Sequence, residues 1–195
     1  MQRICVFCGS SFGRGSVYRE AAGECGRLIA AHGAGLVYGG SQLGLMGVVA
    51  DTVAGLGMPV TGVVPKLLVE KEAAHRGLTD LRVVASMHER KALMAELATA
   101  FLAIPGGFGT FDELFEIITW AQLGLHSKPV GLLNVNGYFD PMLRMIDHAV
   151  EEGFIKERYR GLVIAETNPA KLIARLIDAG SSDPAGSSCD ALASV

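Results

Sequence analysis

The stretch AFLAIPGGFGTFDELFEIITWAQ, residues 100–122, decides how this chain folds. It begins with a continuous apolar run, which is typical of a buried strand. It then breaks at three glycines within four residues and continues with the 3.6-residue apolar period of a helix. A strand that turns directly into a helix is the repeating unit of a sheet with parallel strands. The stretch therefore predicts one strand–turn–helix unit of an α/β fold.

The same alternation continues along the chain. Short apolar runs predict six more strands: RICVFCG (3–9), GLVYGG (35–40), PVTGVVP (59–65), LRVVAS (81–86), KPVGLLNV (128–135) and GLVIAE (161–166). Periodic runs predict five more helices: residues 18–33, 44–57, 88–99, 138–153 and 168–180. This pattern predicts a Rossmann-like doubly wound parallel sheet with helices on both faces. We expect a single domain over residues 1–180 and a small polar tail over 181–195.

The composition limits the classes of function. Of 195 residues, 50% are hydrophobic and 19% are charged. This is a larger share of apolar residues than the core of a lone domain needs, and the excess favours a homodimer with a buried interface. The net charge of -3 argues against a nucleic-acid partner. The sequence shows neither a signal peptide nor a spanning segment, so we expect no membrane contact. The irregular, charged segment 65–81 is a candidate lid or interface element.

The four cysteines, Cys5, Cys8, Cys25 and Cys189, do not form the framework of a secreted protein. Cys5 and Cys8 form a C-x-x-C pair, but residues three apart on a strand point to opposite faces. No second pair completes a zinc site. We therefore expect buried, reduced thiols, no metal and a cytoplasmic location.

Three segments rich in glycine and serine follow predicted strands: CGSSFGRGS (8–16), YGGSQLGLMG (38–47) and PGGFGT (105–110). In a doubly wound sheet such loops lie at the carboxyl edge, where ligands bind. Their backbone amides and the helix starts that follow favour anions. We therefore predict a phosphorylated ligand. Neither the G-x-G-x-x-G nor the G-x-x-x-x-G-K-[ST] pattern occurs, which disfavours a nicotinamide cofactor or a triphosphate hydrolase.

Charged residues near two helix starts leave two interpretations open. Thr110 and Glu113 fit a capping box, in which Thr110 caps a helix that it opens and Glu113 reaches back. The local pattern alone favours this capping role over a catalytic one. In MHERKALM (87–94), Arg90 and Lys91 fall near a helix start, where cations oppose the helix dipole. They form either a solvated face or part of an anion site.

Two motifs resemble those of the Lonely Guy (LOG) family. M-x-x-R-K is complete in residues 87–91, and P-G-G-x-G-T-x-x-E is complete in residues 105–113. The resemblance extends through ICVFCGSS, LVYGGSQLGLMG and TGVVPKLL, and covers the chain from about Ile4 to about Leu176. It implies a phosphoribohydrolase that cleaves cytokinin riboside 5'-monophosphates into free base and ribose 5-phosphate. Such proteins also resemble chains once called lysine decarboxylases, but no pyridoxal-phosphate site is indicated here.

By matching position, the resemblance implies that Glu113 and Arg90 are catalytic. It implies that the nucleotide is bound by Glu72, Arg90, Lys91, Gly106, Gly107, Phe108, Gly109, Thr110, Glu113 and Thr119. The carboxylate would stabilise positive charge on the sugar, align water or attack directly, as carboxylates do in glycosidases. The guanidinium would hold the sugar or phosphate. The family also implies a homodimer with the site near its interface, and we expect no cofactor.

Two residues depart from the pattern of the family, and two rival functions fit the same residues. Ser41 stands where many family members have glycine, and Thr99 where aspartate is common; either departure could change the preferred ligand. A rival interpretation is a non-catalytic carrier or sensor of a nucleotide or pterin phosphate. Another is an adenosine monophosphate nucleosidase, which performs the same reaction on unsubstituted adenine.

Overall fold

The structure is a computed structural model that describes residues 1–69, 74, 75, 77, 78 and 80–181. One sheet contains the strands β1 (Arg3–Phe7), β2 (Gly35–Tyr38), β3 (Val60–Pro65), β4 (Asp80–Val84), β5 (Ala100–Ala103), β6 (Val130–Leu133) and β7 (Val163–Glu166). The helices are α1 (Val17–Ala31), α2 (Gly44–Gly55), α3 (Lys66–Val69), α4 (Met87–Leu97), α5 (Phe108–Gln122), α6 (Asp140–Glu151) and α7 (Pro169–Ser181). Short 3-10 turns at Val135–Gly137 and Glu157–Leu162 flank α6.

The strands pair in the order β4-β3-β2-β1-β5-β6-β7, and every pairing is parallel. The chain first adds β2, β3 and β4 on one side of β1. It then crosses back and adds β5, β6 and β7 on the other side. This arrangement confirms the predicted doubly wound sheet. The reversal between β1 and β5 opens a crevice beyond their carboxyl ends, where ligands of such sheets bind.

Apolar side chains fill both faces of the sheet, as the continuous apolar strands predict. One face packs against α1, α2 and α7, and the other against α4, α5 and the buried Phe139. Alternate residues of each strand therefore serve opposite layers. Cys5 lies in the second layer and Cys8 in the first, which confirms that the C-x-x-C pair does not converge.

Two expectations need comment. The segment 65–81 was predicted to be irregular; it contains the helical turn α3, while residues 70–73, 76 and 79 lie outside the described part of the chain. The predicted polar tail also lies outside it, apart from Ser181, which ends α7. Among the described helices, none combines the length and apolar character that a membrane span requires.

Candidate functional site

Hydrogen bonds tie together the three glycine-rich loops. Gly9 after β1 donates its N–H to the Pro105 carbonyl after β5 at 3.1 Å. Its own carbonyl accepts the N–H of Leu45, in the first turn of α2, at 3.0 Å. Gly9 therefore stands at the centre of the carboxyl edge, and the predicted convergence of the loops is confirmed.

A cavity of about 190 Å³ opens where these loops meet. It is lined by Cys8, Gly9, Ser10, Met46, Arg90, Gly107, Phe108, Gly109, Thr110 and Glu113. Six of these belong to the ten residues predicted to form the site. A larger hollow of about 890 Å³ lies at the opposite edge of the sheet, beside Thr99, Lys128 and Gly180. Since it holds none of the predicted residues and lies away from the strand reversal, we assign the site to the smaller cavity.

Arg90 is the best-anchored charged group of the cavity. Its side chain is buried, and Nε donates to the Val63 carbonyl of β3 at 3.1 Å. Nη2 donates to the Gly39 carbonyl just after β2 at 3.0 Å. The third nitrogen, Nη1, lies 3.7 Å from Oε1 of Glu113. Two strand ends thus fix the guanidinium plane and direct its remaining edge at the carboxylate.

Glu113 is also buried, on the face of α5 that looks into the cavity. The Arg90 guanidinium gives it a fixed counter-charge, and both side chains are largely shielded from solvent. The Cys8 thiol lines the same cavity, and burial, followed by the negative charge of Glu113, raises its pKa well above the usual range. Cys8 therefore stays protonated at neutral pH, and Glu113 is the better candidate for the reacting group.

The capping box predicted at Thr110–Glu113 is wrong. Helix α5 begins at Phe108, with Gly107 as its N-cap and no side chain bonded there. Thr110 and Glu113 therefore lie inside the helix, and Glu113 stands beyond the first turn. The first helical hydrogen bond runs from the Phe111 N–H to the Gly107 carbonyl at 3.1 Å. Glu113 therefore does not cap α5, and the amides of the first turn of α5 have no partner within the helix, which suits an anion.

The glycines of this loop serve different purposes. A Cβ added at Gly106 would lie 2.1 Å from Thr110 Oγ1 and 2.7 Å from the Gly9 N, so packing requires glycine there. A Cβ at Gly107 or Gly109 would meet nothing within 4 Å. Both of these glycines line the cavity, so their missing side chains leave room for a ligand to approach the backbone.

A side-chain cap does exist on α4, and it differs from a capping box only in that its return bond reaches the residue before the N-cap. The Ser86 hydroxyl accepts the Glu89 N–H at 3.1 Å, and the Glu89 carboxylate accepts the Ala85 N–H at 2.8 Å. The S-x-x-E pattern at 86–89 is the signal that sequence reasoning overlooked. This cap fixes the beginning of the helix that carries Arg90.

The other four predicted site residues do not line this cavity: Gly106 packs behind it as described above, and Lys91, Thr119 and Glu72 lie elsewhere or outside the described residues. Lys91 Nζ contacts Asp112 Oδ2 and Glu116 Oε2, each at 3.1 Å, and so links α4 to α5. Thr119 is exposed, and its hydroxyl donates to the Phe115 carbonyl of its own helix at 2.7 Å. Glu72 lies outside the described residues. Contacts between these three residues and a ligand remain predictions.

The two departures from the family pattern have local roles. The Ser41 hydroxyl is buried and accepts the Leu43 N–H at 3.1 Å, so it shapes the turn before α2. Thr99 exchanges hydrogen bonds with the backbone of Arg3 at the opposite edge of the sheet. Thr99 is therefore too remote to touch a ligand in the cavity. Within the described residues, no cluster of histidine, cysteine and carboxylate side chains has the arrangement of a metal site.

Solved structures with this fold include two molybdenum-cofactor proteins. The Moco carrier protein of Chlamydomonas reinhardtii superimposes with a TM-score of 0.69 over 92% of this chain and 98% of its own, at 22% identity. The molybdenum cofactor binding protein of Rippkaea orientalis gives 0.66 over 91% and 95%, at 20% identity. At this level of identity the likeness establishes the fold alone.

Sequence comparison is more specific. The family model described as "Possible lysine decarboxylase" matches residues 46–176. The cytokinin riboside 5'-monophosphate phosphoribohydrolase LOG of Oryza sativa subsp. japonica is 51% identical, over 90% of this chain and 72% of its own. LOG4 of Arabidopsis thaliana, which carries the same name, is 50% identical over 89% and 81%. With half of the aligned residues shared over nearly the whole fold, the chain belongs to the LOG family.

Proposed function

We propose that the protein hydrolyses the N-glycosidic bond of adenosine 5'-monophosphates, including N6-substituted ones, to free base and ribose 5-phosphate. The observation that carries this proposal is the buried Arg90–Glu113 pair in the cavity at the strand reversal. Its family relatives in rice and Arabidopsis bear the name of this activity. Cytokinin nucleotides are therefore the substrates to test first.

The phosphate has a suitable place at the start of α5. The open amides of the first turn, the positive end of the helix and the space beside Gly107 and Gly109 all favour a small anion. Phosphate bound here would place the ribose along the cavity toward Glu113. Binding energy from this remote group then serves to orient the bond that breaks.

The chemistry follows from the charge that develops as the bond breaks. The electron pair of the C1'–N bond leaves with the base, and the sugar becomes cationic. The Glu113 carboxylate stabilises that cation or aligns the attacking water. The water oxygen then bonds to C1', one water proton leaves, and the departing base is protonated. Arg90 keeps the carboxylate fixed, so little reorganisation is needed in the transition state.

A non-catalytic carrier or sensor is the rival proposal. The release of free base distinguishes the hydrolase from the carrier or sensor. Free base should appear by chromatography when the protein is incubated with adenosine 5'-monophosphate or an N6-substituted analogue. The unphosphorylated nucleosides should react far more slowly, because they lack the group that the α5 start binds. Binding of the nucleotides without any release of base would instead support the carrier.

Glu113→Gln tests the assignment of the reacting group. Gln keeps the size of the side chain and removes its charge, so base release should fall at least about 100-fold. Arg90→Lys keeps a charge but loses the planar fork, and a comparable loss is expected. Glu96→Gln removes the same charge from an exposed position of α4 outside the cavity and is the matched control. Binding of ribose 5-phosphate, measured by calorimetry, shows that each variant is folded.

We also propose a cytoplasmic homodimer. Helix α6 has no buried residue although one of its faces is apolar. Large apolar side chains are exposed at Leu123, Leu125, Met145 and Phe154, and Phe108 at the cavity is 93% exposed. Cys5, Cys8 and Cys25 are free thiols, which suits a reducing compartment. Light scattering should give at least twice the 20.5 kDa of one chain, and a fully active monomer would contradict the proposal.

A further inference from the structure

Four residues, Ile104–Gly107, connect β5 to α5, and the last two are the consecutive glycines Gly106 and Gly107. Such a pair is the most flexible link that a chain offers, yet it must present its amides in one direction to bind a phosphate. Three carbonyls in succession are held in place. Pro105 O accepts the Gly9 N–H and Gly107 O accepts the Phe111 N–H. Between them, the Gly106 carbonyl accepts the hydroxyl of Tyr138, a residue from a different strand–helix unit.

Tyr138 is itself rigidly placed. Its ring stacks on Phe111 of α5 at 6.4 Å and meets Phe139 and Tyr18 edge-on at 5.1 and 6.0 Å. The backbone beside it is fixed by Asn134, whose Oδ1 accepts the Phe139 N–H at 2.8 Å. The hydroxyl therefore reaches Gly106 from a side chain that has little freedom to move.

A peptide unit is planar, and its C=O and N–H point in opposite directions. The group that holds the Gly106 carbonyl consequently sets the direction of the Gly107 N–H, which lies at the start of α5. We propose that Tyr138 is a positioning residue of the phosphate site. It acts through the Gly106–Gly107 peptide and touches neither the sugar nor the base. This inference rests on the proposed function, because it concerns the same site.

Tyr138→Phe is the direct test, since it keeps the ring and removes only the hydroxyl. The KM for a nucleoside 5'-monophosphate should rise about tenfold, which is the value of one hydrogen bond. The kcat should change much less, because phosphate binding is shared by ground state and transition state. The kcat/KM for the unphosphorylated nucleoside should stay at the parental level. The dissociation constant of ribose 5-phosphate should rise by the same factor as the KM.

Tyr18→Phe is the matched control. Tyr18 contacts the Tyr138 ring but makes no contact with the Gly106 carbonyl that would replace the lost bond. Removal of the Tyr18 hydroxyl should leave the KM for the nucleoside 5'-monophosphate, the KM for the nucleoside and the affinity for ribose 5-phosphate unchanged. The melting temperatures of both variants should remain close to that of the parent.

Two results would overturn the inference. One is a Tyr138→Phe variant whose KM and ribose 5-phosphate affinity stay within twofold of the parent. The other is an equal loss with nucleotide and nucleoside accompanied by a lower melting temperature, which would mean a structural role only. If the parent protein releases no base, the proposed function fails, and ribose 5-phosphate binding still decides the role of Tyr138.

Discussion

One added methyl group at Gly39 should disable the site without touching the substrate. A Cβ at this position would lie 2.0 Å from Nη2 of Arg90 and 3.3 Å from Sδ of Met46. Ordinary carbon contacts need about 3.5 Å, so the guanidinium must move by about 1.5 Å. It cannot do so and keep the hydrogen bond to the Gly39 carbonyl at its present 3.0 Å. The Nη1 edge would then turn away from Glu113.

The expected loss in kcat/KM for Gly39→Ala is about 100-fold or more, since a misplacement of 1 Å has an effect of that size. Overpacking a buried position should also lower the free energy of unfolding by about 1–3 kcal/mol. The first quantity is measured by chromatography of the released base and the second by denaturant unfolding. A large loss in kcat/KM in a protein that is still folded means that the Arg90 side chain is displaced. A loss of activity that comes from unfolding would instead appear in the denaturant curve.

Gly55→Ala provides the matched control. Gly55 lies at the end of α2, and a Cβ there would meet nothing within 4 Å. The variant should keep parental activity and gain up to about 1 kcal/mol from helix propensity. A folded Gly39→Ala protein with more than a third of the parental kcat/KM would refute the reasoning. The position of Arg90 would then not govern the reaction.

Four further variants have definite expected outcomes. Gly109→Ala should fold normally but lower kcat/KM for nucleotides at least about tenfold, because its methyl group enters space assigned to the phosphate. Gly106→Ala should instead lower the melting temperature, because its methyl group would clash with Thr110 and Gly9. Burial lowers the pKa of Lys91, but its bonds to the α5 carboxylates outweigh burial and raise that pKa. Lys91→Met should therefore lower the free energy of unfolding by about 1 kcal/mol at neutral pH. The contribution of a raised lysine pKa is lost as pH rises through the pKa of the folded state. The difference should therefore begin to fall near the usual 10.5 and vanish only above the raised pKa of the folded protein. A constant difference would exclude the ion pairs. Ser86→Ala should cost about 1 kcal/mol through the α4 cap, and an unchanged midpoint would contradict that role.

The amino-acid sequence alone predicted the type of fold and the edge of the sheet at which the candidate site lies. Continuous apolar runs can be satisfied only where both faces of a strand are covered, so the alternation with helices required a parallel sheet. Glycine loops after β1, β2 and β5 then had to meet at one edge. The motifs around Arg90 and Glu113 indicated candidate reacting groups only through their resemblance to the LOG family, because the local pattern at Glu113 alone favoured a helix cap.

Only the tertiary structure decided how those groups are held. The acceptors of Arg90 are main-chain carbonyls 27 and 51 residues away, and carbonyls carry no residue-specific signal. The start of α5 could not be read locally either, since the Thr110–Glu113 pattern also fits a capping box, whereas the helix begins at Phe108 with Gly107 as its N-cap. Lys91 Nζ contacts the carboxylates of Asp112 and Glu116 at 3.1 Å because the fold places the first turns of α4 beside α5. Contacts between distant segments depend on which strands become neighbours, and that is a property of the folded sheet rather than of any stretch of sequence.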